Sequence, residues 1–249
     1  MVPLFDQLNP QQISAVSHQK GPALVVAGPG SGKTRVLTHR VAYLIEYFGI
    51  PQDQILTVTF TNKAAEEIKE RVSLLLEATK KPSWSGTFHS ISSRILRRDG
   101  KYVGIAPDFV IYDSADQLSL IKGIICDYGI DSKKIKPQAV LNSISSAKTE
   151  LVTPKEYAEI ATGYFPRTVA KVYFEYQNRL KKNNALDFDD LLMELVHLFM
   201  ENSQVLQKYQ NFFRHVLVDE YQDTNKAQYT IARLLSDRHK NLYVVGDMS

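Results

Sequence analysis

The Gly-rich segment Ala27–Thr34 constrains this chain more than any other stretch, and it reads AGPGSGKT. The apolar run Pro22–Val26 precedes it and predicts a short buried strand. Apolar residues at helical spacing follow it, namely Val36, Leu37, Val41, Leu44, Ile45 and Phe48. Glycines in such a loop let backbone N–H groups turn towards an anion without Cβ clashes. The strand, loop and helix together predict a site for the phosphates of a nucleoside triphosphate.

The residue types inside this loop indicate separate tasks. Lys33 places a positive charge near the β and γ phosphates, and the Thr34 hydroxyl can bind Mg²⁺. The strict pattern begins with glycine, whereas Ala27 occupies that position here. An unliganded turn between a strand and a helix is the structural alternative. We expect the nucleotide to contact Ala27, Gly28, Pro29, Gly30, Ser31, Gly32, Lys33 and Thr34.

A second segment, 215–223, reads HVLVDEYQD and predicts an apolar strand with two acids at its carboxyl end. Asp219 is expected to hold the Mg²⁺ that also contacts Thr34. Glu220 is expected to orient and deprotonate the attacking water. Both carboxylates can stay ionised beside a metal ion, because its charge offsets their repulsion. The Gly-rich loop followed by this acidic pair indicates a hydrolytic nucleotide site.

An N-terminal glutamine is a candidate for reading the base. Asn9 and Pro10 predict the start of a helix, as an N-cap followed by proline at the first helical position. Gln12 lies in the first turn of that helix, and its amide can pair with the N6 and N7 edge of adenine. A solvated glutamine on a helix surface is the alternative.

Two further strand-like runs, 54–60 and 83–88, end in polar residues, where open α/β sheets bind their ligands. Phe60 and Lys63 combine an aromatic face with a cation, as sites for single-stranded nucleic acid do. From Phe60 to Lys101 there are nine Lys and Arg residues and five Asp and Glu residues, although the whole chain carries only +3. A phosphate-binding surface predicts steep salt dependence of binding. A buried phenylalanine and a solvated charged face are the alternatives.

The cysteine and histidine content excludes other classes of site. Cys126 is the only cysteine, so no intrachain disulfide can form, and a catalytic thiol has no evident partner. The six histidines show no metal-ligand spacing. No apolar run approaches the ~18 residues of a membrane span, and the N-terminus has no signal-peptide pattern. We therefore expect a cytoplasmic protein with no membrane partner.

The pattern of the chain changes in its middle third. Strand-like runs disappear from 111 to 184, and the breakers Gly129, Pro137, Pro154 and Pro166 separate several predicted helices. We predict an α/β core formed by 1–110 and 185–249, with an inserted all-helical subdomain at 111–184. Four tyrosines are expected in the core of that subdomain: Tyr157, Tyr164, Tyr173 and Tyr176. Asp187 and Asp190 are expected to cap a helix rather than to bind a metal.

These motifs, in this order, resemble those of superfamily 1 DNA helicases of the UvrD/PcrA/Rep type. The resemblance runs from Leu8 to Ser249 and rests on the segments LNPQQISAV, AGPGSGKTRVLTHR, ILTVTFTNKAAEEIKERV, GTFHSISSRILRRD, LDFDDLL, VDEYQDTN and VVGDMS. It implies a RecA-like P-loop core with a mostly parallel sheet, and ATP and Mg²⁺ as cofactors. The family tolerates alanine at the first loop position, which removes the objection raised by Ala27.

The resemblance also implies further roles. Gln12 would read adenine, Arg35 would lie near the base or ribose, and Gln222 would link the nucleotide state to DNA. The track for single-stranded DNA would consist of Phe60, Thr61, Asn62, Lys63, Thr87, Phe88 and His89. The helical subdomain would face duplex DNA at single- and double-strand junctions. The implied activity is 3′-to-5′ translocation with duplex unwinding, as in DNA repair.

The chain stops where the family continues. After Gly246 and Asp247 the family has a glutamine that senses the γ-phosphate, then base-stacking aromatics and a second RecA-like domain with arginines for the ATP site. We therefore expect an N-terminal portion of a helicase that binds nucleotide weakly, hydrolyses little ATP and does not unwind DNA alone. Two other functions stay open: a P-loop kinase or GTPase, and a non-catalytic module for single-stranded DNA. The segment Asn62–Ala65 does not supply the base-reading pattern of a GTPase.

Overall fold

The computed structural model describes residues 4–28, 30–76 and 82–247. Pro29, predicted to contact the nucleotide, lies outside the described residues. The chain forms two compact units. The sheet unit comprises Met1–Ile91, Asn202–Thr224 and Gln228–Ser249, and the helical unit comprises Ser92–Glu201 and Asn225–Ala227. These limits differ from the predicted boundaries at 110 and 184, and the role of 111–184 as an inserted accessory subdomain stays a prediction.

Seven strands and eleven helices occur in the described part of the chain. The strands are β1 (Ala23–Val26), β2 (Ile55–Thr59), β3 (Ser85–Thr87), β4 (Val110–Tyr112), β5 (Ala185–Asp187), β6 (His215–Val218) and β7 (Leu242–Gly246). The helices are α1 (Pro10–Val16), α2 (Lys33–Glu46), α3 (Asn62–Leu75), α4 (Phe88–Asp99), α5 (Ser114–Asp127), α6 (Pro137–Thr149), α7 (Pro154–Ile160), α8 (Tyr164–Lys182), α9 (Phe188–Glu201), α10 (Ser203–Phe212) and α11 (Lys226–Ser236). None of the described helices is both long and apolar enough to cross a membrane.

The sheet unit is built on a five-stranded parallel sheet in the order β1-β7-β6-β2-β3. Parallel neighbours need crossover connections; α3 connects β2 to β3, and α11 connects β6 to β7. The α/β class with a parallel sheet, predicted from sequence, is confirmed. Because all five strands run the same way, the loops after them meet at one edge of the sheet, where open α/β sheets bind ligands.

Position in the sheet decides how far each strand is buried. All five residues of β2 are buried, because β2 lies between two other strands. β1 was predicted to be buried as well, but it forms an outer edge of the sheet in the described residues, and Leu24 and Val26 are 65% and 41% exposed. That part of the prediction is wrong, since an apolar run alone does not distinguish an edge strand from a central one.

The apolar side of α2 forms much of the core of the sheet unit. It packs with α1, α3 and the central strands through a cluster that contains Leu8, Val16, Val36, Leu37, Val41, Leu44, Ile68, Val72, Leu217, Tyr243 and Val245. The predicted helix after the Gly-rich loop is therefore confirmed. It ends earlier than expected, at Glu46, so the half-exposed Phe48 lies beyond the helix.

The helical unit has its own core and a small sheet. Its buried residues include Ile121, Ile124, Val140, Ile144, Val169, Val172, Tyr173, Tyr176 and Leu180. The segment predicted to be all-helical, 111–184, begins inside β4, which pairs in parallel with β5. Of the four tyrosines expected in this core, Tyr173 and Tyr176 are fully buried, Tyr157 packs against them, and Tyr164 is 68% exposed at the start of α8.

Asp187 and Asp190 cap the start of α9, as predicted. The Asp190 backbone N–H donates to the Asp187 carboxylate at 2.8 Å, and the Asp187 N–H donates to the Asp190 carboxylate at 3.1 Å. The ammonium of Lys148, which is fully buried, lies 2.7 Å from each carboxylate. The spacing of Asp187 and Asp190 was enough to predict that they cap the helix. Nothing in the sequence predicts that both carboxylates contact a lysine about 40 residues away.

Candidate nucleotide site

Three strand ends come together at the carboxyl edge of the sheet. β7 lies between β1 and β6, so the residues that follow these strands are neighbours. The Ala27 N–H donates to the Gly246 carbonyl at 3.1 Å, and the Asp219 N–H donates to the Val58 carbonyl at 3.0 Å. The topology thereby brings the Gly-rich loop and the acidic pair, almost 200 residues apart, to one place.

The Gly-rich loop has the backbone that its glycines predict. Gly30 and Gly32 have φ angles of +73° and +88°, a region that L side chains rarely adopt. The Ser31 N–H donates to the Gly28 carbonyl at 3.3 Å. Gly32 is the N-cap of α2, and no described side chain caps that helix. The N–H groups in the first turn of α2 are therefore open to an anionic ligand.

Lys33 points to two acids at this edge. Its Nζ lies 2.5 Å from Asp247 Oδ1, 3.9 Å from Glu220 Oε2 and 3.5 Å from the Ala27 carbonyl. The contact in which the Lys33 ammonium donates to Asp247 raises the pKa of Lys33 above its usual value, although burial acts to lower it. The side chain is therefore a fixed cation at the mouth of the loop.

The two acids differ in environment. Asp219 is 2% exposed, and burial together with the neighbouring Glu220 raises its pKa to about 6. Glu220 is partly exposed and has a φ of +47°, which is uncommon for a non-glycine residue. The Glu220 N–H donates to the Asp219 carboxylate at 3.1 Å. Backbone strain of this kind clusters at functional sites.

Gln222 closes a ring of polar contacts. Its Nε2 donates to Glu220 Oε2 at 2.8 Å, and its Oε1 accepts the Asp247 N–H at 3.0 Å. A Cβ at Gly246 would lie 2.7 Å from that oxygen, so a larger residue there would displace the Gln222 amide. Together with Lys33 these side chains form what we call the lysine ring: Lys33, Asp247, Gln222 and Glu220.

The structure also places Gln12 against the Gly-rich loop. The side chain of Asn9 accepts the Gln12 N–H, and Gln12 Oε1 accepts the Asn9 N–H, which forms a capping box. Gln12 Nε2 donates to the Ser31 carbonyl at 3.0 Å. The predicted base-reading amide is thus brought to the loop by its own helix.

Two cavities lie along the first turns of α2, and one of them includes residues of the loop. The first, of about 430 Å³, is lined by Gly30, Gly32, Lys33, Thr34, Arg35, Glu67, Arg71, Glu220 and Asp247. The second, of about 380 Å³, is lined by Gln7, Arg35, Thr38, His39, Arg71, Leu74 and Leu75. Arg35 and Arg71 line both. Arg71, Glu67 and Asp247 were not assigned to the site from the sequence. Asp247 could have been found, because it directly follows a strand. Arg71 and Glu67 could not, because their spacing on α3 is that of an ordinary surface ion pair.

The residues expected along a DNA strand lie after β2 and β3, which are neighbours. The rings of Phe60 and Phe88 are 6.2 Å apart in a T-shaped arrangement. Thr61, Asn62 and Lys63 are exposed, and Thr61 caps α3 by accepting the Ala64 N–H.

The second part of that set is less accessible. Thr87 and Phe88 are only 9% and 2% exposed, and Thr87 Oγ1 accepts the Ser90 N–H. Burial lowers the pKa of His89. The polar residues after β2 are therefore exposed to solvent, whereas Thr87 and Phe88 are buried beneath the surface.

The donor set fits a nucleoside triphosphate with Mg²⁺. Main-chain N–H groups and Lys33 suit phosphate oxygens, and the Thr34 hydroxyl and Asp219 carboxylate are oxygen ligands of the kind Mg²⁺ prefers. In the described residues no group of three or more His, Cys, Asp or Glu side chains could hold a metal. A divalent cation at this edge would accordingly need phosphate oxygens as further ligands.

Comparison with known proteins identifies the class to which this chain belongs. Residues 8–249 match the UvrD/REP helicase N-terminal domain, and the chain is a member of that family. Over 244 residues, 98% of the chain, it is 51% identical to the ATP-dependent DNA helicase PcrA of Bacillus subtilis and 50% identical to that of Staphylococcus aureus. PcrA of Leuconostoc citreum is 47% identical over 245 residues. The chain spans about a third of the length of these relatives.

Proposed function

We propose that this chain is the ATP-binding N-terminal portion of a DNA helicase. In the whole protein, ATP hydrolysis would drive 3′-to-5′ translocation on single-stranded DNA and unwinding at single- and double-strand junctions. The lysine ring is the observation that carries the proposal, because it joins the loop lysine to the acid expected to activate water. The relatives named ATP-dependent DNA helicase support the same activity, and the direction of movement rests on the family resemblance.

The nucleotide roles follow from the geometry of the loop. The N–H groups around Gly30 and Gly32 and the Lys33 ammonium bind the β and γ phosphates. Thr34 and Asp219 would hold Mg²⁺, whose charge would offset that of the phosphates and the acids. Glu220 accepts the proton of the attacking water.

The base lies on the side of Gln12 and Arg35. Besides its contacts with Asn9 and Ser31, the Gln12 amide keeps one N–H donor and one acceptor lone pair, which match the adenine edge. Its contact with the Ser31 carbonyl sets the distance between base and phosphates. Arg35, which lines both cavities, lies between them, at the base or ribose.

Coupling to DNA passes through Gln222 and the strand ends beside it. Gln222 contacts Glu220 directly, so its position reports the state of the nucleotide site. The exposed residues Thr61, Asn62 and Lys63 contact the DNA backbone, and Phe60 stacks on a base. Translocation requires a second domain that closes on ATP. The isolated chain should hydrolyse ATP slowly, because arginines supplied from outside such sites contribute about 10³–10⁵ in turnover.

The test is ATP turnover by the 249-residue chain, with and without single-stranded DNA, compared with Lys33→Ala and Glu220→Gln. We expect ATP to bind with little turnover, and Lys33→Ala to lose binding. Glu220→Gln should retain ATP and abolish the residual turnover. Measurable turnover that is equal in all three proteins, or ATP binding that Lys33→Ala leaves unchanged, would overturn the proposed roles.

A non-catalytic module for single-stranded DNA is the second candidate. It is favoured by Phe60 and the exposed polar residues after β2, since stacking on an aromatic ring contributes ~1–3 kcal/mol per base and needs no ATP. Salt-sensitive DNA binding by a chain that binds no ATP would support this candidate. DNA binding that changes when ATP is added would support the helicase.

A further inference from the structure

The short helix α1 is fixed at both ends. Its N-terminal end is tied to the Gly-rich loop through Gln12, as described above. At its C-terminal end, Arg40 Nη1 donates to the Val16 carbonyl at 2.8 Å, and the Tyr243 hydroxyl donates to the Ala15 carbonyl at 3.0 Å. These two side chains satisfy carbonyls that have no partner within the helix.

Arg40 is held in an unusual environment. It is 3% exposed, and its guanidinium lies over the rings of Tyr43 and Tyr243, at 5.9 and 5.3 Å from their centroids. In the described part of the chain no carboxylate lies within ion-pair distance of it. Burial lowers the pKa of Arg40, although the guanidinium stays charged. A buried cation without a carboxylate is costly, so its contacts with the rings and the Val16 carbonyl must offset that cost.

The position of α1 depends on such contacts. A helix of seven residues is not stable by itself. Two more donors from α2 hold the segment before it: His39 contacts the Leu4 carbonyl at 2.7 Å, and Arg35 donates to the Gln7 carbonyl at 3.5 Å. Since α2 begins in the Gly-rich loop, the loop and the Gln12 amide share one rigid frame.

We infer that Arg40 and Tyr243 are positioning residues for recognition of the nucleotide base. They act through α1, which they hold so that Gln12 stays at the distance from the loop that adenine requires. Neither lines the two cavities described above, and in the described part of the chain no side-chain hydrogen bond or ion pair joins either residue to the Gly-rich loop. The inference rests on the proposed function, in which Gln12 reads adenine.

The test compares ligands that share the phosphates and differ in the base. Binding of ATP, GTP and inorganic tripolyphosphate is measured, with Mg²⁺, on the 249-residue chain and on Tyr243→Phe. The substitution removes one hydroxyl and keeps the ring under Arg40. We expect ATP to bind about 2- to 10-fold more weakly, as for one lost hydrogen bond, with tripolyphosphate and GTP unchanged.

Tyr43→Phe is the matched control, because it makes the same change under the same guanidinium. Its hydroxyl makes no hydrogen bond to a described residue, so we expect no change in binding. Arg40→Lys keeps the charge but loses the planar donor group, and it should lower the preference for ATP over GTP as Tyr243→Phe does.

A Gln12→Ala variant separates this inference from the function on which it rests. If Gln12→Ala lowers the preference for ATP over GTP, Tyr243→Phe should add nothing to it. Equal weakening of ATP and tripolyphosphate by Tyr243→Phe would overturn the inference, since it would indicate a general structural effect. A chain that binds no ATP, or a Gln12→Ala variant with unchanged preference, would overturn the base-reading role as well.

Discussion

Lys33 and Lys148 each lie between two carboxylates, one in the sheet unit and one in the helical unit. Lys33 is 2.5 Å from Asp247 and 3.9 Å from Glu220, and the exposed fractions of these three side chains are 9%, 21% and 38%. Lys148 is 2.7 Å from both of its acids, and all three side chains are at most 2% exposed. The same charges therefore form an accessible cluster in one unit and a closed one in the other.

The surroundings show why only one of the two clusters is a candidate site. The hydroxyl of Tyr176 donates to Asp187, and the amide of Gln177 donates to Asp190, so the buried acids have a full set of partners. Burial disfavours the Lys148 ammonium, but the two acids more than offset this and hold its pKa above the usual value. The lysine ring instead borders a cavity of about 430 Å³, where a ligand can replace Asp247 as the partner of Lys33.

The largest effect should follow from breaking the buried cluster. Lys148→Met leaves two buried carboxylates without their cation, and we expect the free energy of unfolding to fall by about 3–5 kcal/mol. Urea denaturation of the wild type and the variant measures this change in the free energy of unfolding. Lys33→Met is the matched control, and it should change stability by less than about 1 kcal/mol, because the Asp247 and Glu220 side chains stay 21% and 38% exposed. A Lys148→Met protein as stable as the wild type would show that the closed cluster is not structural.

His215 gives a second contrast, because its charged neighbours are cations. Burial, and then Arg40, His239 and Arg214, lower its pKa from 6.5 to about 4. The unfolded chain therefore binds more protons than the folded one between these values, and stability should fall as the pH drops from about 6.5 to about 4.

Replacement of His215 isolates this contribution. We expect wild-type stability to lose about 1–3 kcal/mol more than His215→Gln over that pH range, measured as urea midpoints at successive pH values. Parallel pH profiles of the two proteins would contradict the prediction.

Asp247→Asn should have a smaller effect, on the affinity for ATP. The direction of the change shows whether Asp247 competes with the ligand for Lys33. The Lys33 ammonium must leave Asp247 to reach a phosphate, so removal of that negative charge should tighten binding of Mg²⁺–ATP by about 3- to 10-fold. Titration with ATP measures it. Asp237→Asn removes the same charge from an exposed pair with Lys240 and should leave the affinity unchanged. Weaker ATP binding by Asp247→Asn would show that this acid supports the ligand rather than competing with it.

Local patterns predicted much of the sheet unit. The apolar runs predict strands, and Asn9 followed by Pro10 predicts the start of α1, and both are found. Two of the three loop glycines, Gly30 and Gly32, have positive φ. The edge position of β1 could not be predicted, because burial of a strand depends on neighbours far along the chain.

The partners of the buried charged residues could not be predicted from the sequence either. Lys148 looks like a surface residue of a helix, and Arg40 looks like one more cation after the loop. Their burial results from contacts with residues 39 and 203 positions away, Asp187 and Tyr243. The same holds for the lysine ring, in which the two strand-end acids were visible in the sequence but their common contact with Lys33 was not.

The most direct test of the account is ATP binding by Lys33→Met, measured beside its urea denaturation curve. Because the accessible cluster is a ligand site, we predict at least tenfold weaker binding of Mg²⁺–ATP with an unchanged denaturation midpoint. Wild-type affinity in this variant would contradict the account, since it would mean that the nucleotide does not use the lysine ring.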